Sequence, residues 1–183
     1  MPETLTTITD IPKTLIKRPL DWFTAEHYRH RQFCALMHGL SRAVLFEPEP
    51  IAAVVDFLRH ELGRHLSDEE EDLFPLLRAR ARPEDEVEQV LGRLTAEHRG
   101  DMAHGHGLRL HLERCLETHT APGLDPAAAL ALDAFATQEL RHLALENAVV
   151  LPLAKLRLSA RDLKALSRRL AARRGLQLQP EAA

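Results

Sequence analysis

Apolar residues recur at helical spacing along four long stretches of the chain. In the first stretch, Trp22, Phe33 and Leu36 belong to one apolar stripe that begins after Pro19, a pattern typical of an amphipathic helix. Proline-containing turns separate the stretches. The predicted helices span about 19–43, 50–80, 84–117 and 126–157. Four long helices joined by short turns favour an all-α, up-down-up-down four-helix bundle.

The two ends of the chain carry weaker signals. Ser159-x-x-Asp162 resembles a capping box and predicts a short fifth helix to about Arg174. The chain therefore divides into an irregular segment 1–18, a bundle with its C-terminal helix over 19–175, and a disordered tail 176–183. We expect the isoleucines and leucine of the first segment to strap it across the bundle.

A histidine followed four residues later by a glutamate occurs in two corresponding places. The pairs are His65 with Glu69 and His142 with Glu146, and a proline lies ten residues after each histidine. Residues four apart share one face of a helix, so the imidazole and the carboxylate can reach one metal ion. The repeated offsets make this pattern stronger than either pair alone.

Each pair is preceded by a single histidine in an Ala-Glu-His sequence, His27 in the first half and His98 in the second. Six polar groups near the middle of four helices would be costly to bury without partners. Four imidazoles and two carboxylates could instead hold two ions, and this donor set suits iron, manganese or zinc rather than copper(I). Two alternatives stay open: His30 in place of His27, and a polar core that holds zinc or no metal.

Composition narrows the class of protein. Hydrophobic residues make up 45% of the chain and aromatic residues only 4%, so the core is built mostly from Leu, Ala and Val, which favours helices. A formal charge of −3 gives no reason to expect nucleic acid or an anionic membrane as a partner. Two isolated cysteines, no signal-peptide pattern and no long apolar run predict a cytoplasmic protein without a membrane span.

This arrangement of histidines and glutamates resembles the haemerythrin-like family, the HHE cation-binding domains, over about 19–175. The resemblance implies a di-iron centre, carried by the histidines and glutamates that match the family motif. These metal-ligand candidates are His27, His65, Glu69, His98, His142 and Glu146. Oxygen-carrying members have a further histidine four residues after the one that His98 matches, where this chain has Met102. The departure implies an open position on one iron and argues against oxygen transport.

The resemblance implies a protein that binds or activates oxygen, nitric oxide or peroxide, or that handles iron, in a redox or stress response. The first alternative is a sensing module that signals to a protein partner, or to a second copy in a homodimer, through the fifth helix. The second is a structural bundle. We expect the leucines of the fifth helix to dock on the bundle and its arginines to be solvated. Tyr28 is expected either to pack in the bundle or to donate to a bound oxygen species.

Overall fold

A computed structural model describes residues 7–178 of the 183-residue chain. Over this range the chain forms four long helical elements and a shorter fifth one, and it contains no strand. The second and fourth elements each include a π-helical segment. The elements are α1 (Pro19–Leu40); α2 (Pro48–His60), α3 (Leu62–Ser67), a π segment (Asp68–Leu73) and α4 (Phe74–Arg80); α5 (Val87–Thr118); α6 (Pro126–Leu145), a π segment (Glu146–Val150) and α7 (Leu151–Arg157); and α8 (Ala160–Arg173).

The four long elements pack as an antiparallel bundle. Helix α1 lies against α6 and α2 against α5, while α1 also contacts α2 and α5 contacts α6. Consecutive elements are linked by short turns, so neighbours run in opposite directions. The prediction of an all-α, up-down-up-down four-helix bundle with a short fifth helix is confirmed.

Local capping explains where two helices begin. The Asp125 side chain accepts hydrogen bonds from the backbone N–H groups of Ala127 and Ala128 and caps α6. Ser159 and Asp162 form the predicted capping box at the start of α8, each side chain accepting from the other's backbone N–H. Both motifs satisfy N–H groups that have no partner within the helix.

Two apolar clusters fill the bundle, one on each side of a polar layer. The first cluster includes Phe33, Leu62 and Leu112, and the second includes Phe23, Phe74 and Leu94. Along α1 the second cluster precedes His27 and the first follows it. Buried polar groups at mid-bundle are therefore enclosed by hydrocarbon on both sides, where an unpartnered charge is costly.

Several predicted boundaries were wrong. Helix α1 ends at Leu40 rather than at 43. The chain turns there, so that the backbone of Ala43 packs against Gly123, and a side chain at position 123 would collide with that backbone. Helix α5 begins at Val87 rather than 84, because Glu86 has a left-handed backbone (φ 46°). Two prolines, at 48 and 50, share the first turn of α2, where a missing N–H costs nothing.

The ends of the described chain are more ordered than expected. The segment predicted to be irregular contains a short 3-10 helix, Lys13–Lys17, and Ser167 of α8 donates to the Ile16 carbonyl at 2.6 Å. Ile8 packs on the first apolar cluster, and Ile16 lies in the second. Leu176 and Leu178, in the predicted tail, also pack on the second cluster. The rest of that tail, like residues 1–6, lies outside the described residues.

Candidate metal centre

The six predicted ligand residues lie together in the polar layer. Each of the four long elements contributes at least one of them, and every one is at most 4% exposed. They are His27 on α1, His65 on α3, Glu69 in the first π segment, His98 on α5, His142 on α6 and Glu146 in the second π segment.

The six residues form two sets of four that share both glutamates. One set is His27, His65, Glu69 and Glu146, and the other replaces the two histidines with His98 and His142. In each set, one ligand atom from every residue lies within 4.8 Å of the others. Each set therefore offers two imidazole nitrogens and two carboxylates, and either carboxylate can face both sets.

The Nε2 atoms of the histidines point towards the shared carboxylates. His27 Nε2 is 3.4 Å from Glu146 Oε2, and His65 Nε2 is 3.7 Å from Glu69 Oε2. On the other side, His98 Nε2 is 3.5 Å from Glu69 Oε2. His142 Nε2 is 2.7 Å from Glu146 Oε1. All four rings thus offer the same nitrogen to one small volume.

Many of these polar atoms have no hydrogen-bond partner among the described residues. Both nitrogens of His27, His65 Nε2, both oxygens of Glu69 and Glu146 Oε2 are buried and unpaired. Each such atom costs about 1–3 kcal/mol when left unsatisfied. Cations bound between the imidazoles and the carboxylates would satisfy all of these atoms except His27 Nδ1, and the nitrogen and oxygen donors fit a first-row divalent or trivalent metal.

Both glutamates stand at a local change of helix type that a proline produces. Phe74 N–H donates to the carbonyl of Glu69, and Leu151 N–H to that of Glu146, five residues back instead of four. Pro75 and Pro152 follow directly. A proline has no N–H and its ring crowds the carbonyl four residues earlier, so a wider π turn relieves the clash.

Carboxylates also lie behind two of the rings. His65 Nδ1 is 3.4 Å from Glu26 Oε2, and His98 Nδ1 is 2.6 Å from Glu70 Oε1. Thr95 donates to the other oxygen of Glu70 at 2.9 Å. A carboxylate on the outer nitrogen fixes the ring proton there and leaves Nε2 free as a metal ligand.

Two arginines at the C-terminal end of α8, Arg173 and the capping residue Arg174, extend this arrangement, contrary to our prediction that they are solvated. Arg174 donates to Glu26 Oε1 and to Asp68 Oδ2, both at 2.6 Å. Arg173 donates to Asp72 Oδ2 at 2.7 Å and also contacts Asp68. The leucines of α8 dock as predicted, since Leu166 and Leu170 are buried.

The pKa values of His65, a member of the first set, and of Glu26, which lies behind it, are shifted in opposite directions. Burial would raise the pKa of Glu26, but its hydrogen bond to His65 and the charges of His65 and Arg174 lower the pKa to about 2. Burial would lower the pKa of His65, but the charge of Glu69 and the contact with Glu26 raise it to about 10. Glu26 is therefore ionised and accepts a hydrogen bond from the Nδ1–H group of His65.

Three residues that were considered in connection with the centre, namely His30, Tyr28 and Met102, lie outside the six-residue layer. His30 is buried beside the layer, and its Nδ1 is 2.6 Å from Glu139 Oε1; only His27 belongs to a set of four. Tyr28 is 57% exposed, so neither role predicted for it is correct. Met102 is 50% exposed and packs on Gly63 at the surface. The residue of that turn that faces inward is Asp101, which is 2% exposed.

A surface cleft of about 300 Å³ has His98 among its lining residues. Leu66 and Glu70 line one side of it, and Thr95 and Met102 line the other. The cleft lies beside the second set of four residues. It therefore brings solvent to the edge of a site that is otherwise enclosed by the bundle.

A histidine and glutamate layer across a four-helix bundle defines a class of cation-binding bundles. The profile of the Hemerythrin HHE cation binding domain matches residues 18–154. The chain belongs to this family, as the sequence analysis expected. Neither the curated proteins nor the solved structures include a match to the chain. Among the described residues, no helix has the length and apolar character that a membrane crossing requires.

Proposed function

We propose that this protein is a non-haem di-iron protein in which Glu69 and Glu146 bridge the two metal ions. His27 and His65 would complete one site, and His98 and His142 the other. The observation that supports this proposal is that both glutamates belong to both sets of four. Their buried, unpaired oxygens also favour a shared role between two cations.

When bound, a pair of irons supplies Lewis-acid and one-electron chemistry for a small diatomic or peroxide ligand. The protein would orient the imidazoles through Glu26 and Glu70 and exclude bulk water with the two apolar clusters. The cleft at His98 would admit a molecule of two or three atoms. This arrangement favours ligand binding, ligand activation or iron handling, in keeping with a redox or stress response.

The donor set also accommodates manganese or zinc, so the metal must be measured. The experiment is elemental analysis of the full chain expressed with added iron, together with Mössbauer and EPR spectra. Two irons per chain that are magnetically coupled would support a dinuclear centre. One uncoupled iron, zinc alone, or a folded protein without metal would reject the di-iron proposal.

A second candidate function is a sensing module that passes the state of the centre to a partner through α8. The observation that favours it is the contact between Arg174, which directly follows α8, and Glu26, the carboxylate that faces His65. A change at His65 could thus alter the docking of α8.

Turnover and hydrogen exchange separate these two functions. A catalyst of small-molecule chemistry consumes oxygen or peroxide over many cycles when supplied with reductant. A sensor reacts about once per chain, and its α8 amides exchange faster in one oxidation state than in the other. If exchange in α8 is the same in both states, the sensing function is wrong.

A further inference from the structure

Two buried carboxylates outside the six-residue layer lie close to one of its histidines, His142. Asp101, Glu139 and His142 each offer one ligand atom, and these atoms lie within 4.8 Å of one another. His142 Nδ1 is 3.8 Å from Asp101 Oδ2. This nitrogen points away from Glu146, which the Nε2 atom of the same ring faces.

One atom on each of these residues is buried without a hydrogen-bond partner among the described residues. These atoms are Asp101 Oδ2, Glu139 Oε2 and His142 Nδ1. Asp101, Glu139 and His142 are each 2% exposed. Three unpaired polar atoms so close together are costly unless something binds between them.

The neighbouring side chains anchor the two carboxylates by their other oxygens. Gln138 Nε2 donates to Asp101 Oδ1 at 2.9 Å. The His30 ring holds Glu139 Oε1 at 2.6 Å. Both carboxylates are therefore fixed in place while the second oxygen of each stays available. Two buried carboxylates that face each other repel, and a cation between them removes that repulsion.

We propose that Asp101, Glu139 and His142 form a third cation site, which takes a divalent first-row metal ion before the ion enters the dinuclear centre. The role in loading rests on the proposed function; the existence of the site does not. Glu97 would be the donor on the solvent side, because its Oε2 is 3.8 Å from His142 Nδ1 and its side chain is 24% exposed. Oxygen donors with one imidazole suit iron(II), manganese(II) or zinc.

His142 belongs both to the third site and to the dinuclear centre, so the two sites compete for its ring. A neutral imidazole has one nitrogen lone pair, and the other nitrogen carries the proton. A cation at Nδ1 requires the proton on Nε2, and a cation held at Nε2 with Glu146 requires the proton on Nδ1. The ion can therefore pass from one side of the ring to the other only as the ring proton moves the opposite way. The third site should bind best while the dinuclear centre is empty.

The test uses the metal-stripped full chain and manganese(II), whose free form gives an EPR signal that is lost on binding. The Glu69→Gln and Glu146→Gln double variant removes both bridging carboxylates and should still bind one manganese per chain. Adding Asp101→Asn and Glu139→Gln should abolish that binding. Asp133→Asn in the double variant is the matched control, because Asp133 pairs with His38 away from the site. Circular dichroism establishes that each variant is folded.

Two results would overturn the proposal: no manganese bound by the folded double variant, or equal binding after Asp101 and Glu139 are changed. If the double variant does not fold, the rate of iron loading decides instead. Asp101→Asn alone should slow loading by about tenfold, a typical effect of a supporting carboxylate, with the same final iron content. An unchanged rate rejects the third site. Loss of final iron content without a slower rate assigns Asp101 to fixing the His142 ring.

The same measurements distinguish failure of the third site from failure of the di-iron proposal. If the wild-type chain holds two coupled irons but the double variant binds no manganese, the di-iron proposal is supported and the third site is rejected. If the wild-type chain holds no coupled irons but the double variant binds one manganese, the third site is supported and the di-iron proposal is rejected.

Discussion

Arg174 lies 2.6 Å from Glu26, and this contact connects the end of the last helix to the candidate metal centre. Its guanidinium also lies 4.8 Å from the centre of the Trp22 ring. Because the other oxygen of Glu26 faces His65, only one side chain separates α8 from a candidate ligand. The fifth helix is thus part of the support of the site, and its removal should affect metal binding.

Arg174→Met tests that support. The change removes the Arg174 guanidinium from the buried carboxylates of Glu26 and Asp68, and breaking a buried ion pair costs about 3–5 kcal/mol. We also expect metal affinity to fall by about 10- to 100-fold, because the orientation of His65 is lost. Urea unfolding and competition with a chelator measure the two effects. Arg168→Met, an exposed position on the same helix, should change neither, and an equal effect there would contradict the assignment.

Glu146→Gln tests the shared carboxylate directly. The substitution keeps the shape of the side chain but removes the charge that both sets of ligands share. We expect metal content to fall from two ions to one or none per chain. The rise in melting temperature on adding iron should also disappear, since a ligand at 100 times its Kd contributes about 2.7 kcal/mol. Glu117→Gln, on the surface of α5, is the control. Wild-type metal content in Glu146→Gln would exclude Glu146 as a bridge.

Pro75→Ala tests the origin of the first π segment. Alanine restores an N–H that can bond to the carbonyl of Glu71, so the turn can return to α-helical geometry and rotate Glu69. We expect metal affinity to fall by about tenfold or more while the metal-free protein keeps or gains stability. Pro126→Ala, at the first position of α6, is the matched control. If Pro75→Ala binds metal normally, the proline does not set the position of Glu69.

Asp85 and Arg157 give a prediction about acid stability. Hydrogen bonds from Arg157 lower the pKa of Asp85 to about 2, from an ordinary value of 3.8. Because the folded pKa is the lower one, stability from this pair is fully present above pH 3.8 and is lost as the pH falls towards 2. Arg157→Gln should therefore lower the melting temperature at pH 6, and the difference from wild type should shrink between pH 4 and 2. A constant difference across that range would reject this role.

Met102→Ala tests the cleft as an entrance. Removing a side chain at its wall should speed the association of azide with the iron-loaded protein, without changing the iron content. Leu110→Ala, another exposed residue of α5, should leave the rate unchanged. Stopped-flow absorption follows the reaction. Equal association rates in Met102→Ala and wild type would mean that the ligand enters elsewhere.

The sequence predicts the bundle and the position of its polar layer because both depend on local spacing. Repeated His-x-x-x-Glu pairs at matching offsets from prolines mark the same level on two helices. That those residues bind metal stays a prediction. The π segments could not be predicted, since a separation of four residues fits either helix type. Glu139 did carry a signal, its three-residue spacing from His142, but its contact with His30 depends on the packing of α1 on α6.

Which face of α5 is buried could not be predicted from the sequence. Neighbouring residues differ by about 100° around a helix, so an error of one position replaces a buried group with an exposed one. Met102 stands where the oxygen carriers have a further histidine, yet it is exposed, and Asp101 is the residue that faces inward. Three glycines, at 100, 105 and 107, interrupt the apolar stripe that would otherwise indicate the buried face. The contacts of Arg173 and Arg174 with Asp68 span about a hundred residues of sequence and leave no local pattern.

Neither half of the chain contains a complete set of four ligands. The set built on His27 and His65 takes Glu146 from the fourth element, and the set built on His98 and His142 takes Glu69 from the second. A bound pair of ions would therefore act as a cross-link between the N-terminal and C-terminal halves. Unlike a disulfide, this cross-link could be removed by a chelator. Cleavage of the connection at 81–86 should leave two fragments that stay together while metal is present and separate when it is withdrawn.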